Sequence, residues 1–248
     1  MSADLGRWSS PALPDEGRLE LGAWRARWTS RPWAGEAPGG DRFVLELSAE
    51  GGLCFAVADA AGHGARGNAL WERHAAVFAA GWRAFVDGAG FPELFDPLDA
   101  SLCEVLEHSL CLTAGRWSPG GALELATCGY GTHALVTTAA GPWWTEAEQL
   151  FGLKLGWFGP ERRRELPRGL VRNELVGVER VILLSDGLLP DDHRDPEATL
   201  SRLEAANARC ASLPPAEVIS SLLEEAPTPP EDDQTVVVLE RAASPANQ

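Results

Sequence analysis

Leu53-Cys54-Phe55-Ala56-Val57-Ala58-Asp59-Ala60-Ala61-Gly62-His63-Gly64-Ala65-Arg66-Gly67 is the stretch that decides the fold. Leu53 to Ala58 is a short, continuous apolar run and reads as a strand. Asp59 closes it, so a carboxylate stands at the strand's end. The glycines that follow mark a sharp turn, and from about Gly64 the periodicity becomes helical. Trp71, Ala75, Phe78, Trp82 and Phe85 recur at spacings of four, three, four and three and form one buried stripe. Upstream, Arg42 to Ser48 reads as another strand, and the turn Ala49-Glu50-Gly51-Gly52 makes the pair a hairpin.

Further out, Leu19 to Trp28 alternates in the period-2 manner of a strand. A second helix is expected over Pro92 to His108, with Leu94, Leu98, Leu102, Val105 and Leu106 on one face. Strands are expected at Ala122–Cys128, His133–Thr138, Val178–Ser185 and Thr235–Leu239, and helices near Glu197–Arg209 and Pro215–Glu224. Residues 141–176, rich in Gly, Pro, Trp and Arg, read as an excursion or flap. Blocks of strands separated by pairs of helices favour α+β over a repeating βαβ sheet. The expected organisation is a leader over 1–18, one domain over 19–241 and a tail over 242–248.

Composition bounds the function. The 248 residues are 45% hydrophobic and 23% charged, which suits a packed globular chain. Thirty-six acidic against 21 basic residues leave a formal charge of −15. Such a surface repels phosphate backbones and anionic headgroups, so nucleic acid and membrane are poor partners, whereas divalent cations suit it. The five cysteines (54, 103, 111, 128, 210) are scattered and form no CxxC, which reads as reduced, buried thiols in a cytoplasmic protein. The opening MSADLGRWSSPALPDEG is polar and turn-rich and lacks the form of a signal peptide. Among the basic residues, Lys154 is the single lysine.

Aspartates recur at strand ends beside glycines. Asp41 follows Gly39-Gly40 and opens a strand; Asp59 and Asp186 each end one; Asp232-Asp233 precede the last. Each apolar strand thus delivers a carboxylate to its rim. Carboxylates brought together raise one another's pKa, a penalty that a pair of divalent cations removes. Two such ions activate a shared water and clamp a phosphoryl oxygen for in-line attack.

Gly39-Gly40-Asp41, Asp59-Ala60-Ala61-Gly62-His63-Gly64, Leu184-Ser185-Asp186-Gly187 and Asp232-Asp233-Gln234-Thr235 resemble, in order and spacing, the motifs of PPM-type metal-dependent protein phosphatases. The SpoIIE/RsbU/RsbX-like branch is the most similar. The resemblance covers about residues 19–241 and implies a four-layer α-β-β-α sandwich with two Mn²⁺ or Mg²⁺ ions at one end. It implies that Asp59 bridges both ions, that the Ala60 carbonyl adds a backbone ligand, and that Asp186 and Asp232 hold one ion. Asp41 would bind directly or through water, and Asp233 would sit behind the ligands. Asp59, Asp186 and Asp232 would carry the catalysis, direct hydrolysis of phosphoserine or phosphothreonine without a covalent enzyme intermediate. The implied substrate is a phosphoprotein such as a STAS-type anti-sigma-factor antagonist, with regulation by an activator partner. Two positions depart from the pattern. Arg42-Phe43-Val44 follows Asp41 where the family often has two aromatics and a second Asp, and Thr127-Cys128-Gly129-Tyr130 replaces an Asn-Ala-Gly-His turn. These departures motivate an alternative, a catalytically silent binding module of the same fold.

Gly62-His63-Gly64-Ala65-Arg66-Gly67 is formally G-x-G-x-x-G, with Asp87 about 20 residues on. A dinucleotide site is set aside because the preceding strand pairs as a hairpin and Asp87 ends a helix rather than a second parallel strand. His63 is expected to shape its turn more than to catalyse, and His74 to be exposed beside the helical stripe. Arg162-Arg163-Arg164, with Arg168 and Arg172, forms a basic island, and Trp143-Trp144 and Trp157-Phe158 an aromatic group on the flap.

Overall fold

The computed structural model describes residues 16–33, 39–105, 107–139, 141–144, 154–157, 171–189 and 196–242. Eleven strands and four α-helices are seen among these residues: β1 (Glu16–Leu21), β2 (Trp24–Arg31), β3 (Arg42–Leu47), β4 (Leu53–Ala60), α1 (Gly64–Val86), α2 (Phe91–Leu102), β5 (Leu110–Trp117), β6 (Leu123–Cys128), β7 (Thr132–Thr138), β8 (Gly141–Trp144), β9 (Val171–Leu175), β10 (Val178–Ser185), α3 (Pro196–Cys210), α4 (Pro215–Glu225) and β11 (Gln234–Arg241). One sheet has the order β1-β2-β11-β10-β7-β8 and the other β3-β4-β5-β6-β9. All the strand pairings are antiparallel.

Strand β4 shows why its sequence lacks alternation. Cys54, Ala56, Ala58 and Ala60 pack beneath Leu70, Trp71 and Phe78 of α1. Leu53, Phe55 and Val57 point the other way, into a cluster with Trp117, Leu125, Leu183 and Val237 from both sheets. A strand covered on both faces needs apolar residues at every position. The small ones lie under the helix, where the Trp71, Phe78 and Trp82 rings supply the volume. On the far side, Ile182, Leu184, Val236 and Val238 pack against Leu203, Val218 and Leu222 of α3 and α4. The expected α-β-β-α layering is the observed one.

Several expectations are corrected. The alternation over Leu19–Trp28 is two strands, not one: Leu21 pairs with Trp24 across a two-residue turn at Gly22 and Ala23. Gly22 takes φ +57 there. A two-residue turn leaves the parity of the pattern intact, so the break is silent in the sequence. Because β1 begins at Glu16, residues 16–18 belong to the sheet rather than to a leader. The second helix ends at Leu102, short of His108. The chain then turns into β5, a strand that carries no alternation because it too is covered on both faces. The excursion at 141–176 contains β8 and β9. His74 is not exposed: it is 2% accessible, with Nδ1 2.9 Å from Ser101 Oγ and Nε2 3.0 Å from His108 Nδ1. Arg162-Arg163-Arg164, Arg168 and Phe158 lie outside the described residues. Among the described residues no helix is long and apolar enough to cross a membrane, and all five cysteines are buried and outside any disulfide.

Candidate metal centre

The ends of β3, β4, β10 and β11 meet at one rim of the sandwich. Asp59 is the penultimate residue of β4, opposite Cys111 of β5. The turn Gly129-Tyr130-Gly131 passes directly over it; a Cβ on Gly131 would overlap Asp59 Oδ2. Asp186 follows β10, and its N–H donates to the Gly131 carbonyl (3.0 Å), so that one turn holds both acids. Asp41 precedes β3, and Asp232 precedes β11.

The glycines form the floor. A Cβ on Gly40 would stand 2.8 Å from the Gly62 carbonyl oxygen and 3.2 Å from that of Ala60. Gly67, in the first turn of α1, is pressed onto the Gly40 backbone, which explains a residue unfavourable within a helix. The Ala60 carbonyl therefore faces the Gly39-Gly40-Asp41 loop, where a backbone ligand was expected.

Burial and mutual repulsion govern the charges. Asp41 is 7% and Asp59 7% accessible. Burial, then Asp233 and more distantly Asp186, hold the Asp41 carboxyl well above the ordinary 3.8; the Ser185 and Thr235 hydroxyls partly offset this. Burial also raises Asp59, with Asp186, Asp41 and Asp232 adding repulsion and Lys154 opposing it. Burial raises Asp232, against the N–H it accepts from Asp233 (2.8 Å). Asp41 Oδ2 is buried without a hydrogen-bond partner.

Asp233 is arranged differently. Its Oδ1 accepts the Trp33 N–H at 2.7 Å and its Oδ2 accepts the Gly40 N–H in a very short contact. Its carbonyl accepts from Ser185 Oγ (3.1 Å), which in turn accepts the Thr235 N–H (2.9 Å). Asp233 is thus the tie between β11 and the Gly39–Asp41 loop, behind the other acids. His63 packs against Trp33, with ring centroids 4.3 Å apart and the planes tilted by 47°, and its Nδ1 lies 3.9 Å from Asp232 Oδ1.

Among the described residues, no three His, Cys, Asp or Glu side chains are drawn together closely enough to hold an ion as they stand. The acids share one electrostatic field rather than a closed ligand sphere. Divalent cations nevertheless fit the residues present. The donors are hard carboxylate and carbonyl oxygens, one oxygen is orphaned and buried, and the repulsion among four acids is what bound cations would relieve.

The field has a consequence for stability. Without metal, the folded state keeps protons on Asp41 and Asp59 at pH values where the unfolded chain has released them. This contribution is therefore greatest below the ordinary 3.8 and is lost as pH rises toward the folded values. Thermal melts in chelator at pH 5.5 and 7.5 are expected to show lower stability at 7.5, with a shallower slope for Asp59→Asn. Equal slopes would contradict this account. Added Mn²⁺ protects more at the higher pH.

The layered fold and the acid-bearing rim define the class, that of PPM-type protein phosphatases. The family model for Stage II sporulation protein E (SpoIIE) matches residues 49–242, and the chain belongs to that family, in its SpoIIE/RsbU/RsbX branch. The match includes Asp59, Asp186, Asp232 and Asp233 and begins after Asp41. Among solved structures, RsbX in complex with magnesium superposes with TM-score 0.67 at 15% identity, covering 92% of this chain and 100% of that one. The SiaA-PP2C domain of Pseudomonas aeruginosa gives TM-score 0.64 at 15% identity over 87% and 85% of the two chains. The PP2C phosphatase domain with a regulatory fragment of SpoIIE from Bacillus subtilis gives 0.61 at 17%, over 87% and 62%. No curated protein matches the sequence.

Sequence reading missed Trp33, Ser185, Thr235 and Lys154 as neighbours of the acids. Ser185 and Thr235 stand inside the quoted motifs without having been given a role, and Lys154 had the signal of being the one lysine of the chain.

Proposed function

We propose that the chain hydrolyses phosphoserine or phosphothreonine on a regulatory protein, in a single displacement by water. The observation that supports this best is the meeting of Asp41, Asp59, Asp186 and Asp232 at one rim, with Asp41 Oδ2 buried and unpartnered. Asp59, Asp186 and Asp232, with Asp41 and the Ala60 carbonyl, would hold two Mn²⁺ or Mg²⁺ ions. When bound, these supply Lewis acidity and an activated water. The chain's own contribution is placement. The Gly129–Gly131 turn orients Asp59 and Asp186, while Asp233 fixes the loop that carries Asp41. Neutral aspartates would not bind metal, so activity is expected to rise with pH as the acids ionise.

The neighbours include a bacterial stressosome protein and the RsbU and RsbW domains of Rv1364c from Mycobacterium tuberculosis. They motivate a STAS-type anti-sigma-factor antagonist as the substrate, an activator protein as a regulator, and a cytoplasmic location. The domain is proposed to span 19–241 together with the β1 residues 16–18.

A second reading has one observation in its favour. Val44 stands where the family often places a further carboxylate, and it is buried in the core beneath α1, 1% accessible. No carboxylate is presented from that position, which suits a catalytically silent binding module. Hydrolysis of p-nitrophenyl phosphate and of a phosphoserine peptide separates the two readings. The phosphatase reading expects turnover with Mn²⁺ and its loss in excess chelator. Absence of turnover across Mn²⁺, Mg²⁺ and a panel of phosphopeptides leaves the binding module.

A further inference from the structure

Lys154 is the single lysine among 21 basic residues, and its position is built rather than incidental. Leu155 exchanges two backbone hydrogen bonds with Leu110 at the start of β5 (3.0 and 2.9 Å). The Gly156 N–H donates to Asp99 Oδ1 of α2 (2.8 Å). Gly156 has φ +75, and a Cβ there would overlap the His108 carbonyl, so the segment lies tight against the body of the protein. Leu110 pairs with Ala60 and Cys111 with Asp59, which sets Lys154 beside the acid-bearing end of β4.

The ammonium sits 4.6 Å from the centroid of the Tyr130 ring, in the turn that covers Asp59. Burial opposes its charge, but Cys111, Asp59, Tyr130 and Asp186 around it outweigh burial and hold the ammonium pKa above its ordinary range. Among the described residues Lys154 closes no ion pair within 4 Å; its charge acts on the two aspartates from beyond that distance. Arg66, Arg83, Arg180 and Arg209 all make close ion pairs with glutamates. A lysine offers a compact point charge with three rotatable donors, able to bind a phosphoryl oxygen.

We propose that Lys154 is a phosphate-binding residue, whose ammonium, steadied on the Tyr130 ring, donates to a phosphoryl oxygen of the substrate in the gap between itself and the Asp59–Asp186 edge. The proposal rests on the phosphatase reading of the same rim and names a group that holds the phosphomonoester from the side opposite the acids. An anion placed there meets one fixed cation from the chain, while the carboxylates remain committed to metal. Tyr130 stands where the family has His, and the cation–π contact gives this departure a purpose: it holds the lysine that reaches the site.

The test is calorimetric titration of inorganic phosphate into Mn²⁺-saturated wild type, Lys154→Met and Lys154→Arg, with Mn²⁺ affinity measured separately. Phosphate affinity is expected to fall at least about tenfold in Lys154→Met, the usual scale for a charge-assisted hydrogen bond. Lys154→Arg should recover part of it, and Mn²⁺ affinity should hold or tighten. With p-nitrophenyl phosphate the loss should fall on KM more than on kcat. Unchanged phosphate affinity in Lys154→Met, or a wild type that binds no phosphate with Mn²⁺ present, overturns the proposal. The two readings fail separately. Turnover with phosphate affinity indifferent to Lys154 removes only the lysine's role, whereas lysine-dependent phosphate binding without any turnover removes only the phosphatase assignment.

Discussion

Asp59→Asn is expected to abolish divalent-ion binding and to lower phosphoester hydrolysis by at least roughly 10²–10³-fold, while the metal-free fold becomes no less stable. The activity loss follows from position. Asp59 feels Asp186, Asp41 and Asp232 together, which suits a carboxylate that would be common to two ions. Removing a preorganised charge-stabilising group typically has an effect of this size. The stability expectation runs the other way. A buried acid with like-charged neighbours is costly when ionised, and an amide of the same shape removes that repulsion. Isothermal titration with Mn²⁺, kinetics on an aryl phosphate and a melt in chelator measure the three parts. Full activity with Mn²⁺ bound as in wild type would reject the metal mechanism; a metal-free fold that collapses would show that Asp59 is structural.

Asp233→Ala is expected to act on stability first. Its carboxylate accepts the Trp33 and Gly40 N–H groups, and Asp233 is 3% accessible. Truncation strands two backbone donors in a place with little access to water. Each orphaned donor costs about 1–3 kcal/mol. Relief of the repulsion on Asp41 returns some of this, leaving a net loss of about 2–4 kcal/mol. Asn in place of Asp rescues poorly, because its NH₂ faces one of the same donors. The freed Gly39–Asp41 loop should also weaken Mn²⁺ binding. Urea unfolding with and without Mn²⁺ is the measurement. A loss of metal affinity at unchanged stability would instead make Asp233 a direct ligand.

These variants probe opposite kinds of aspartate, which composition and periodicity leave alike and which only the motif resemblance separates, through its expectation that Asp233 sits behind the ligands. Asp232 and Asp233 are adjacent, both beside a strand end. One is half-exposed toward His63; the other points inward to backbone donors some 200 residues away in the chain. In the fold, the register of β11 against β2, with Gln234 opposite Arg31, sets the two apart. Similarly, nothing local distinguishes Lys154 from a surface lysine. Its place depends on the Leu110–Leu155 bridge and on Asp99, contacts between distant segments. The long apolar segments were legible because burial leaves a mark in composition: β4, β10, β11 and α1 lie close to where their patterns put them. Strand β5 and the β1–β2 turn were not, since Thr113, Gly115 and Arg116 break the apolar run that marks a strand covered on both faces and a two-residue turn preserves alternation.

By itself, the order of residues determined the elements and the inventory of chemistry. Apolar runs ending in Asp, glycine turns behind them and a helical aromatic stripe are local patterns, written by solvent exclusion at each strand and helix. Tertiary structure decided which carboxylates share a field, which one ties a loop, and which cation faces them. Electrostatic energy depends on distances through space, and those are created only when two sheets pack face to face and bring remote strand ends to one edge.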